Sequence, residues 1–145
     1  MTALATFSLA LANETATANL MADLALLIGP GDVITLSGDL GAGKTAAARA
    51  LIRYLAGDDS IEVPSPTFTL VHEYRGPRAN LYHIDLYRID TPRQLETLGL
   101  DDLRSDNSIL LIEWGEKFPR LVRERDVEIA LEREGEHNRR ITVRG

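Results

Sequence analysis

Two compact runs of apolar residues mark the centre of the predicted fold. Residues 33–36 read VITL and residues 109–112 read ILLI, and glycine or polar residues follow both runs closely. Short, continuous apolar runs of this kind are typical of strands that are buried on both faces of a sheet. The pattern therefore predicts two central strands, each of which leads into a segment able to carry polar chemistry.

Weaker periodicities predict the elements around these strands. Apolar positions three and four residues apart indicate a helix capped by Asn13 or Thr15 that ends near residue 28, and an alanine-rich helix spans about residues 44–56. A short helix follows Thr91, which we expect to cap it. The further strands that we expect are at residues 6–9, 68–74, 81–87, 127–131 and 140–143. Strands that alternate with helices, together with an antiparallel portion, predict an α/β domain with a mixed sheet.

Composition narrows the class of function. The chain has 145 residues, the usual size of one domain, and it contains no cysteine, so a disulfide, a thiolate metal site and a cysteine nucleophile are excluded. A formal net charge of −6 argues against a protein that binds nucleic acid by itself, without a partner protein, because such proteins are usually basic. The sequence has no recognisable targeting segment and no apolar stretch long enough to span a membrane, so we expect a cytoplasmic protein.

A glycine-rich loop follows the first central strand and precedes the alanine-rich helix. Residues 38–45 read GDLGAGKT, which fits the phosphate-loop pattern G-x-x-x-x-G-K-[ST]. Such a loop turns backbone N–H groups toward phosphate oxygens, and the helix presents its positive end to the same anion. We expect Lys44 to contact the β- and γ-phosphates of ATP and the Thr45 hydroxyl to bind Mg²⁺. The predicted nucleotide-binding residues of the loop are Gly38, Asp39, Leu40, Gly41, Ala42, Gly43, Lys44 and Thr45.

A phosphate-loop site also needs a carboxylate on the side of the metal ion, and that residue usually ends a buried strand. Glu113 directly follows the second central strand, and Asp85 ends the run LYHID. We expect Glu113 to share the Mg²⁺ and Asp85 to lie near the phosphates or the attacking water, although Asp85 stays open as the main metal-side carboxylate. Guanine-specific proteins carry an Asn-Lys-x-Asp element, which is absent here, so adenine is preferred by elimination.

Four segments occur in an order that resembles the TsaE (YjeE) family, the bacterial ATPases of tRNA threonylcarbamoyladenosine synthesis. The segments are GDLGAGKT at 38–45, SPTFTLV at 65–71, HIDLYR at 83–88 and EWGE at 113–116. The resemblance covers nearly the whole chain and implies a P-loop NTPase-like domain of three layers. It implies that residues 65–69 form a nucleotide-responsive, switch-like loop and that Trp114 sits beside the nucleotide. Many members carry a second threonine after Thr45, where this chain has Ala46.

The resemblance also implies ligands and partners. Adenine contacts come from the start of the first helix and from the C-terminal region, where Thr17 and either Arg139 or Arg140 are the candidates. The implied protein partners are TsaB and TsaD, with tRNA reached only through their complex, and carbamoyl transfer is the work of TsaD. The present chain is then an ATP-driven motor or reset switch.

The three histidines, His72, His83 and His137, form no metal cluster and are interpreted as satisfied strand or surface residues.

The expected reaction is ATP hydrolysis, with Asp85 or Thr67 orienting the attacking water. No arginine is identifiable as an arginine finger, with Arg88 the one candidate, so we expect slow turnover until a partner completes the site. Two alternatives stay open, namely a small-molecule kinase and a nucleotide-gated binding module without useful turnover. Arginines 120, 123 and 125 are interpreted as a solvated face rather than as a patch for a partner or RNA.

Overall fold

Seven strands form one mixed sheet in the computed structural model, which describes residues 6–39, 41–136 and 138–145. The strands are β1 (Phe7–Leu11), β2 (Val33–Ser37), β3 (Val71–Arg75), β4 (Asn80–Asp85), β5 (Ser108–Glu113), β6 (Val127–Arg133) and β7 (Arg139–Arg144). Their order across the sheet is β1-β7-β6-β2-β5-β4-β3. The strands β2, β4, β5 and β6 are joined by parallel pairing, whereas the β1–β7, β6–β7 and β3–β4 pairs are antiparallel.

Helices cover both faces of the sheet. At the start of the first helix, α1 (Glu14–Ala25), the Asn13 side chain accepts a hydrogen bond from the Ala16 amide at 2.9 Å, so Asn13 rather than Thr15 is the cap. The helix ends at Ala25, three residues earlier than the sequence predicts, because the chain then turns toward Gly29 and Pro30. The helices are α1 (Glu14–Ala25), α2 (Lys44–Ala56), α3 (Pro92–Leu98), α4 (Leu100–Leu103) and α5 (Pro119–Glu124), with a 3₁₀ turn at Gly115–Lys117. In the described part of the chain, no helix is both long and apolar enough to cross a membrane.

The two central strands alternate their side chains between two apolar cores. Ile34 and Leu111 contribute to the core that α1 and α2 cover, whereas Val33 and Leu110 contribute to the core that α3, α4 and α5 cover. Every residue of β2 and β5 is buried, as the two continuous apolar runs predict. Burial of apolar area on both faces is the main force that holds the sheet between its helices. The predicted three-layer α/β fold with a mixed sheet is confirmed.

The structure corrects the predicted bounds of two strands. The strand predicted from residue 68 begins at Val71, because a tight turn precedes it in which the Leu70 amide donates to the Pro66 carbonyl at 2.7 Å. The strand predicted to reach residue 87 ends at Asp85, because the chain turns there: the Tyr87 amide donates to Asp85 Oδ1 at 2.9 Å, and the Ile89 amide donates to the Leu86 carbonyl at 3.0 Å. The short elements α4, α5 and the 3₁₀ turn were not predicted, since they are too brief for a hydrophobic period.

The arginines predicted to form a solvated face are partly used in ion pairs. Arg120 pairs with Asp101 and with Glu124, and Arg125 lies 2.9 Å from a Glu128 carboxylate oxygen. Arg123 is exposed, as expected for a solvated face. The region therefore contributes contacts between helices and strands as well as surface charge.

We expect the cap of α3 to contribute to stability. The Thr91 hydroxyl accepts from the Gln94 amide at 3.2 Å, and the Gln94 side chain accepts in return from the Thr91 amide, which is a capping box. Thr91→Ala should therefore lower the free energy of unfolding by about 1 kcal/mol. Thr97→Ala in the same helix is the matched control, because Thr97 is exposed and, among the described residues, its hydroxyl bonds only the Arg93 carbonyl. Urea denaturation measures both, and equal losses for the two variants would contradict the cap.

Candidate functional site

The carboxyl ends of β2, β4 and β5 open into a cavity of about 470 Å³. Parallel pairing brings these ends to one edge of the sheet, which is where α/β proteins generally bind ligands. The sequence-predicted residues that line the cavity are Asp39, Gly41, Ala42, Gly43, Lys44, Thr45, Thr67, Asp85, Glu113 and Trp114. Gly38 lies beside it, Thr17 lines an adjoining cavity, and Leu40 falls outside the described residues.

The phosphate loop begins at a position that only glycine fits. Gly38 follows β2 with a φ of +141°, and a Cβ atom there would lie 2.3 Å from the Leu131 carbonyl oxygen. Gly43, at the start of α2, has a φ of +102°. L side chains rarely adopt either conformation, so the two glycines allow the loop to pass close to β6 and to turn directly into α2. The predicted order of strand, glycine loop and helix is therefore present.

Lys44 is a charged side chain that is buried inside the loop. Only 5% of the residue is exposed, and its Nζ donates to the carbonyl oxygens of Gly38 and, at 3.0 Å, of Asp39. The same atom lies 3.9 Å from the centroid of the Trp114 ring. Burial lowers the pKa of the Lys44 ammonium, against the opposing effect of the carboxylates of Glu116, Glu113, Asp39 and Asp85. The loop thus presents a desolvated cation to the cavity.

Glu113 and Asp85 lie side by side, because they are paired residues of neighbouring parallel strands. The Thr45 hydroxyl donates to Glu113 Oε1 at 3.0 Å, and the other carboxylate oxygen, Oε2, lies 2.6 Å from His83 Nε2. Asp85 accepts from the Thr67 hydroxyl at 3.2 Å and from the Tyr87 amide at 2.9 Å. The structure therefore groups the four residues predicted for metal binding and for orienting water.

The oxygen atoms of Thr45 and Glu113 suit a magnesium ion. Hydroxyl and carboxylate oxygens are hard ligands, and Mg²⁺ usually takes one or two protein ligands while phosphates and water complete its shell. Among the residues that the structure describes, no group of three or more acidic, histidine or cysteine side chains is placed to hold a metal ion unaided. The donor set thus fits a cation that arrives with a phosphate chain better than one held by protein alone.

The loop at residues 65–69, which the resemblance predicts to respond to nucleotide, is connected to Asp85. Ser65 and Thr67 are hydrogen bonded through their hydroxyls at 2.7 Å, and Thr67 continues to Asp85. Trp114 also lines the cavity. It has a left-handed backbone with a φ of +66°, and its ring packs against Tyr87 with centroids 5.2 Å apart. Its contact with Lys44 places it beside the phosphate loop, and its place beside a bound nucleotide stays a prediction.

Two side chains form hydrogen bonds to the phosphate loop that the sequence did not predict. Arg139 was considered only as a contact for adenine, and Glu116 was named only as part of the EWGE segment. The Arg139 guanidinium donates from Nε to the Ala42 carbonyl at 3.1 Å and from Nη2 to the Gly41 carbonyl at 3.2 Å. Glu116 accepts from the Gly38 amide at 3.2 Å. The sequence signal for Glu116 is its place in the EWGE segment, but contacts between residues so distant in sequence leave no periodic trace. Arg140, the other arginine considered for adenine, instead pairs with Glu134.

A second cavity of about 300 Å³ adjoins the first, and the two share Glu14, Gly43, Ala46 and Arg139 in their linings. Thr17 lines this second cavity, and its hydroxyl donates back to the Asn13 carbonyl at 3.4 Å. The space between the start of α1 and the C-terminal strands is therefore continuous with the phosphate loop.

Two interpretations of other side chains need correction. His83 was interpreted as a satisfied strand or surface residue; it is a fully buried strand residue, and within residues 6–39, 41–136 and 138–145 only its Nε2 has a hydrogen-bond partner. His72 similarly has a bonded Nε2 and, within the same residues, no partner for Nδ1, whereas His137 lies outside the described residues. Arg88, the candidate arginine finger, lies over the exposed Phe68 ring at 4.4 Å from its centroid and does not line the main cavity.

Comparison with known proteins decides the family. The family described as "Threonylcarbamoyl adenosine biosynthesis protein TsaE" matches residues 11–141. This chain belongs to the TsaE family. A TsaE protein of Rickettsia felis is 36% identical over 135 residues, which is 93% of this chain and 78% of the relative. The TsaE protein of Bacillus subtilis is 40% identical over 113 residues, covering 78% of this chain and 69% of the relative. Both relatives are named tRNA threonylcarbamoyladenosine biosynthesis proteins.

A solved TsaE-like structure agrees with the fold. The crystal structure of YdiB from Bacillus subtilis superposes with a TM-score of 0.77 at 29% identity, covering 99% of this chain and 86% of YdiB. The expected P-loop NTPase-like fold is thereby confirmed, and so is the family resemblance.

We expect Arg139 to support nucleotide binding through the loop. Arg139→Ala removes two hydrogen bonds from a charged donor to the loop carbonyls, so it should weaken binding of ADP by roughly tenfold or more, as measured by calorimetry. Arg140→Ala is the matched control, since Arg140 pairs with Glu134 and Ser8 and does not line either cavity. An Arg139 variant that binds ADP as tightly as the Arg140 variant would refute this role.

Proposed function

We propose that this chain binds ATP together with Mg²⁺, hydrolyses it slowly, and acts with the TsaB–TsaD complex in tRNA threonylcarbamoyladenosine biosynthesis. The observation that carries the proposal is the convergence of Lys44, Thr45 and Glu113 on one cavity beside the phosphate loop. The names of the TsaE relatives supply the biological process, and the residues supply the chemistry.

Phosphate binding is the first step that the site supports. The ammonium of Lys44 is desolvated, which raises the free energy of its charged form, and an anionic phosphate chain would offset that cost. Backbone N–H groups of the loop and the N-terminal end of α2 attract the same anion. In this proposal Lys44 leaves the loop carbonyls and contacts the β- and γ-phosphates.

The carboxylates divide the remaining work. Thr45 and Glu113 would hold Mg²⁺, which when bound to ATP offsets the negative charge of the β- and γ-phosphates. Asp85 is hydrogen bonded to Thr67 and lies at the next strand end, so this pair would orient the water that attacks the γ-phosphorus atom. A bond forms between the water oxygen and phosphorus as the bond to the β,γ-bridging oxygen of ADP breaks, and the water's proton passes to Asp85 or to the released phosphate.

Slow turnover follows from the cations at the site. Arg139 is the only arginine in the described lining of the main cavity, and its donors bond to backbone carbonyls. Arg88 lies against Phe68 instead. An arginine finger accelerates phosphoryl transfer by about 10³ to 10⁵ in enzymes that have one, so a chain without one should be slow. A protein partner would then complete the cycle.

We propose that the base of the bound nucleotide is adenine and that it binds in the second cavity. The cavity of about 300 Å³ joins the phosphate loop and is lined by Thr17, Leu131 and Glu136, among others. No guanine-recognition element is present in the sequence. The proposed localisation is the cytoplasm, where the tRNA substrate of the relatives' named process is found.

Three substitutions test these proposed roles. The rate of hydrolysis is measured as phosphate release in a single-turnover assay. Lys44→Ala should abolish detectable ATP binding, because the buried cation is lost. Glu113→Gln should keep most nucleotide affinity but lose Mg²⁺-dependent turnover by about 10²-fold, and Asp85→Asn should bind normally but hydrolyse slowly. Glu96→Gln, an exposed carboxylate on α3, is the matched control and should behave like the unsubstituted protein.

Each outcome separates the proposed function from its alternatives. Tight binding without phosphate release, even with TsaB and TsaD, would identify a nucleotide-gated binding module. Transfer of phosphate to a metabolite would identify a kinase. Fast turnover by the isolated chain would reject the requirement for a partner.

A further inference from the structure

A buried histidine contacts the proposed metal-binding carboxylate from the side opposite Thr45. His83 lies within β4, its residue is 0% exposed, and its Nε2 is 2.6 Å from Glu113 Oε2. Glu113 Oε1 accepts from the Thr45 hydroxyl at 3.0 Å. Each carboxylate oxygen therefore has its own partner, and those partners come from two different elements of the fold.

The position of His83 does not require an imidazole for packing. It shares one face of β4 with the apolar residue Leu81, two positions earlier, and it pairs in register with Leu111 of β5. An apolar side chain of similar size would fill such a place without burying polar atoms. Among the described residues, the Nδ1 atom of this buried histidine has no hydrogen-bond partner, which carries a desolvation cost. The hydrogen bond of Nε2 is therefore the feature that distinguishes His83 from a leucine.

The contacts assign the tautomer of the ring. A carboxylate accepts hydrogen bonds and does not donate them, so the proton belongs on Nε2, which faces Glu113. The tautomer is therefore assigned from the Glu113 contact, and Nδ1 makes no hydrogen bond within the part of the chain that the structure describes.

The length of the glutamate side chain explains why a second anchor matters. Phosphate-loop proteins commonly use the shorter aspartate on the metal side. Glutamate adds one rotatable bond, so a single contact from Thr45 leaves the carboxylate plane free to turn. A hydrogen bond to the other oxygen fixes that plane.

We propose that His83 is a positioning residue, which donates from Nε2 to Glu113 and holds the carboxylate in the orientation that Thr45 and Mg²⁺ share. The proposal rests on the function proposed above and adds a residue to it. His83 touches neither nucleotide nor metal in this account. Removing the outer partner of a metal ligand typically lowers metal affinity by about 10- to 100-fold.

Three substitutions at one position separate donation from packing. His83→Leu fills the space without a donor, His83→Gln places an amide N–H near the position of Nε2, and His83→Asn places its amide near that of Nδ1, too short to reach Glu113. The probe is Mn²⁺, titrated by electron paramagnetic resonance into each full-length variant with ADP bound. Affinity for ADP in the presence of a chelator is measured in parallel.

The leucine and asparagine variants should bind Mn²⁺ about 10- to 100-fold more weakly than the unsubstituted protein, and the glutamine variant should recover most of the loss. Chelator-treated ADP affinity should stay within about twofold in all three, because the phosphate loop is intact. Unchanged Mn²⁺ affinity in His83→Leu would overturn the proposal, and so would a glutamine variant no better than the leucine one.

The unsubstituted protein gives a reading that does not depend on variants folding. Nitrogen-15 spectra of its histidine rings should place the His83 proton on Nε2, and that resonance should move when Mg²⁺ joins the ADP complex but much less with ADP alone. A proton on Nδ1 with a bare Nε2 would overturn the assignment. If the unsubstituted protein with ADP binds no Mn²⁺ at all, the proposed function fails; if it binds Mn²⁺ and the leucine variant matches it, only the role of His83 fails.

Discussion

The parallel register of β2, β5 and β4 is the constraint from which the site follows. Leu36 pairs with Glu113, and Glu113 pairs with Asp85, so these strands end level with one another at one edge of the sheet. Residues that are distant in the sequence therefore share one cavity without any local motif joining them. Two apolar cores, one on each face, keep β2 and β5 fully buried and make that register stable.

The charged groups around Lys44 indicate which kind of phosphate ligand this edge of the sheet can accept. Four carboxylates, those of Glu116, Glu113, Asp39 and Asp85, act on the one buried ammonium of Lys44. A free phosphate chain entering such a site meets acidic groups as well as the loop, whereas a phosphate chain that brings a divalent cation supplies the missing positive charge. The proposal of an ATP–Mg²⁺ complex as the ligand is thus consistent with the acidic surroundings of the loop as well as with the loop itself.

The parts of this site that the sequence predicted are those encoded locally. The glycine loop is contiguous, and Glu113 and Asp85 each come at the end of a short run typical of a strand, so the local pattern was enough to propose them. Arg139 and Glu116 contact the loop from 97 and 78 residues away, and such pairing depends on topology that periodicity does not reveal. The role of His83 is hidden for the same reason, because a histidine in a strand gives no sign of which carboxylate its ring will face.

The fold shows the same division between local and distant determinants. The cap at Thr91 and the start of α2 were predicted, and the cap of α1 was narrowed to Asn13 or Thr15, because hydrogen-bonding side chains and glycines act within a few residues. The early end of β4 was missed although its determinants are local, because the Tyr87 amide donates to Asp85 Oδ1 and the Ile89 amide donates to the Leu86 carbonyl. The distant determinant is the parallel register with β5, which places Asp85 beside Glu113 and which periodicity does not reveal.

The loop at residues 38–45 is proposed to receive a triphosphate and its magnesium ion. A crystal structure of the full chain with Mg²⁺ and a non-hydrolysable ATP analogue tests this proposal. We expect the β- and γ-phosphates to lie against the loop amides and Lys44, with the metal ion between the phosphates and Thr45. Phosphates bound elsewhere, or an analogue whose triphosphate makes no contact with Lys44, would refute the proposed role of the loop.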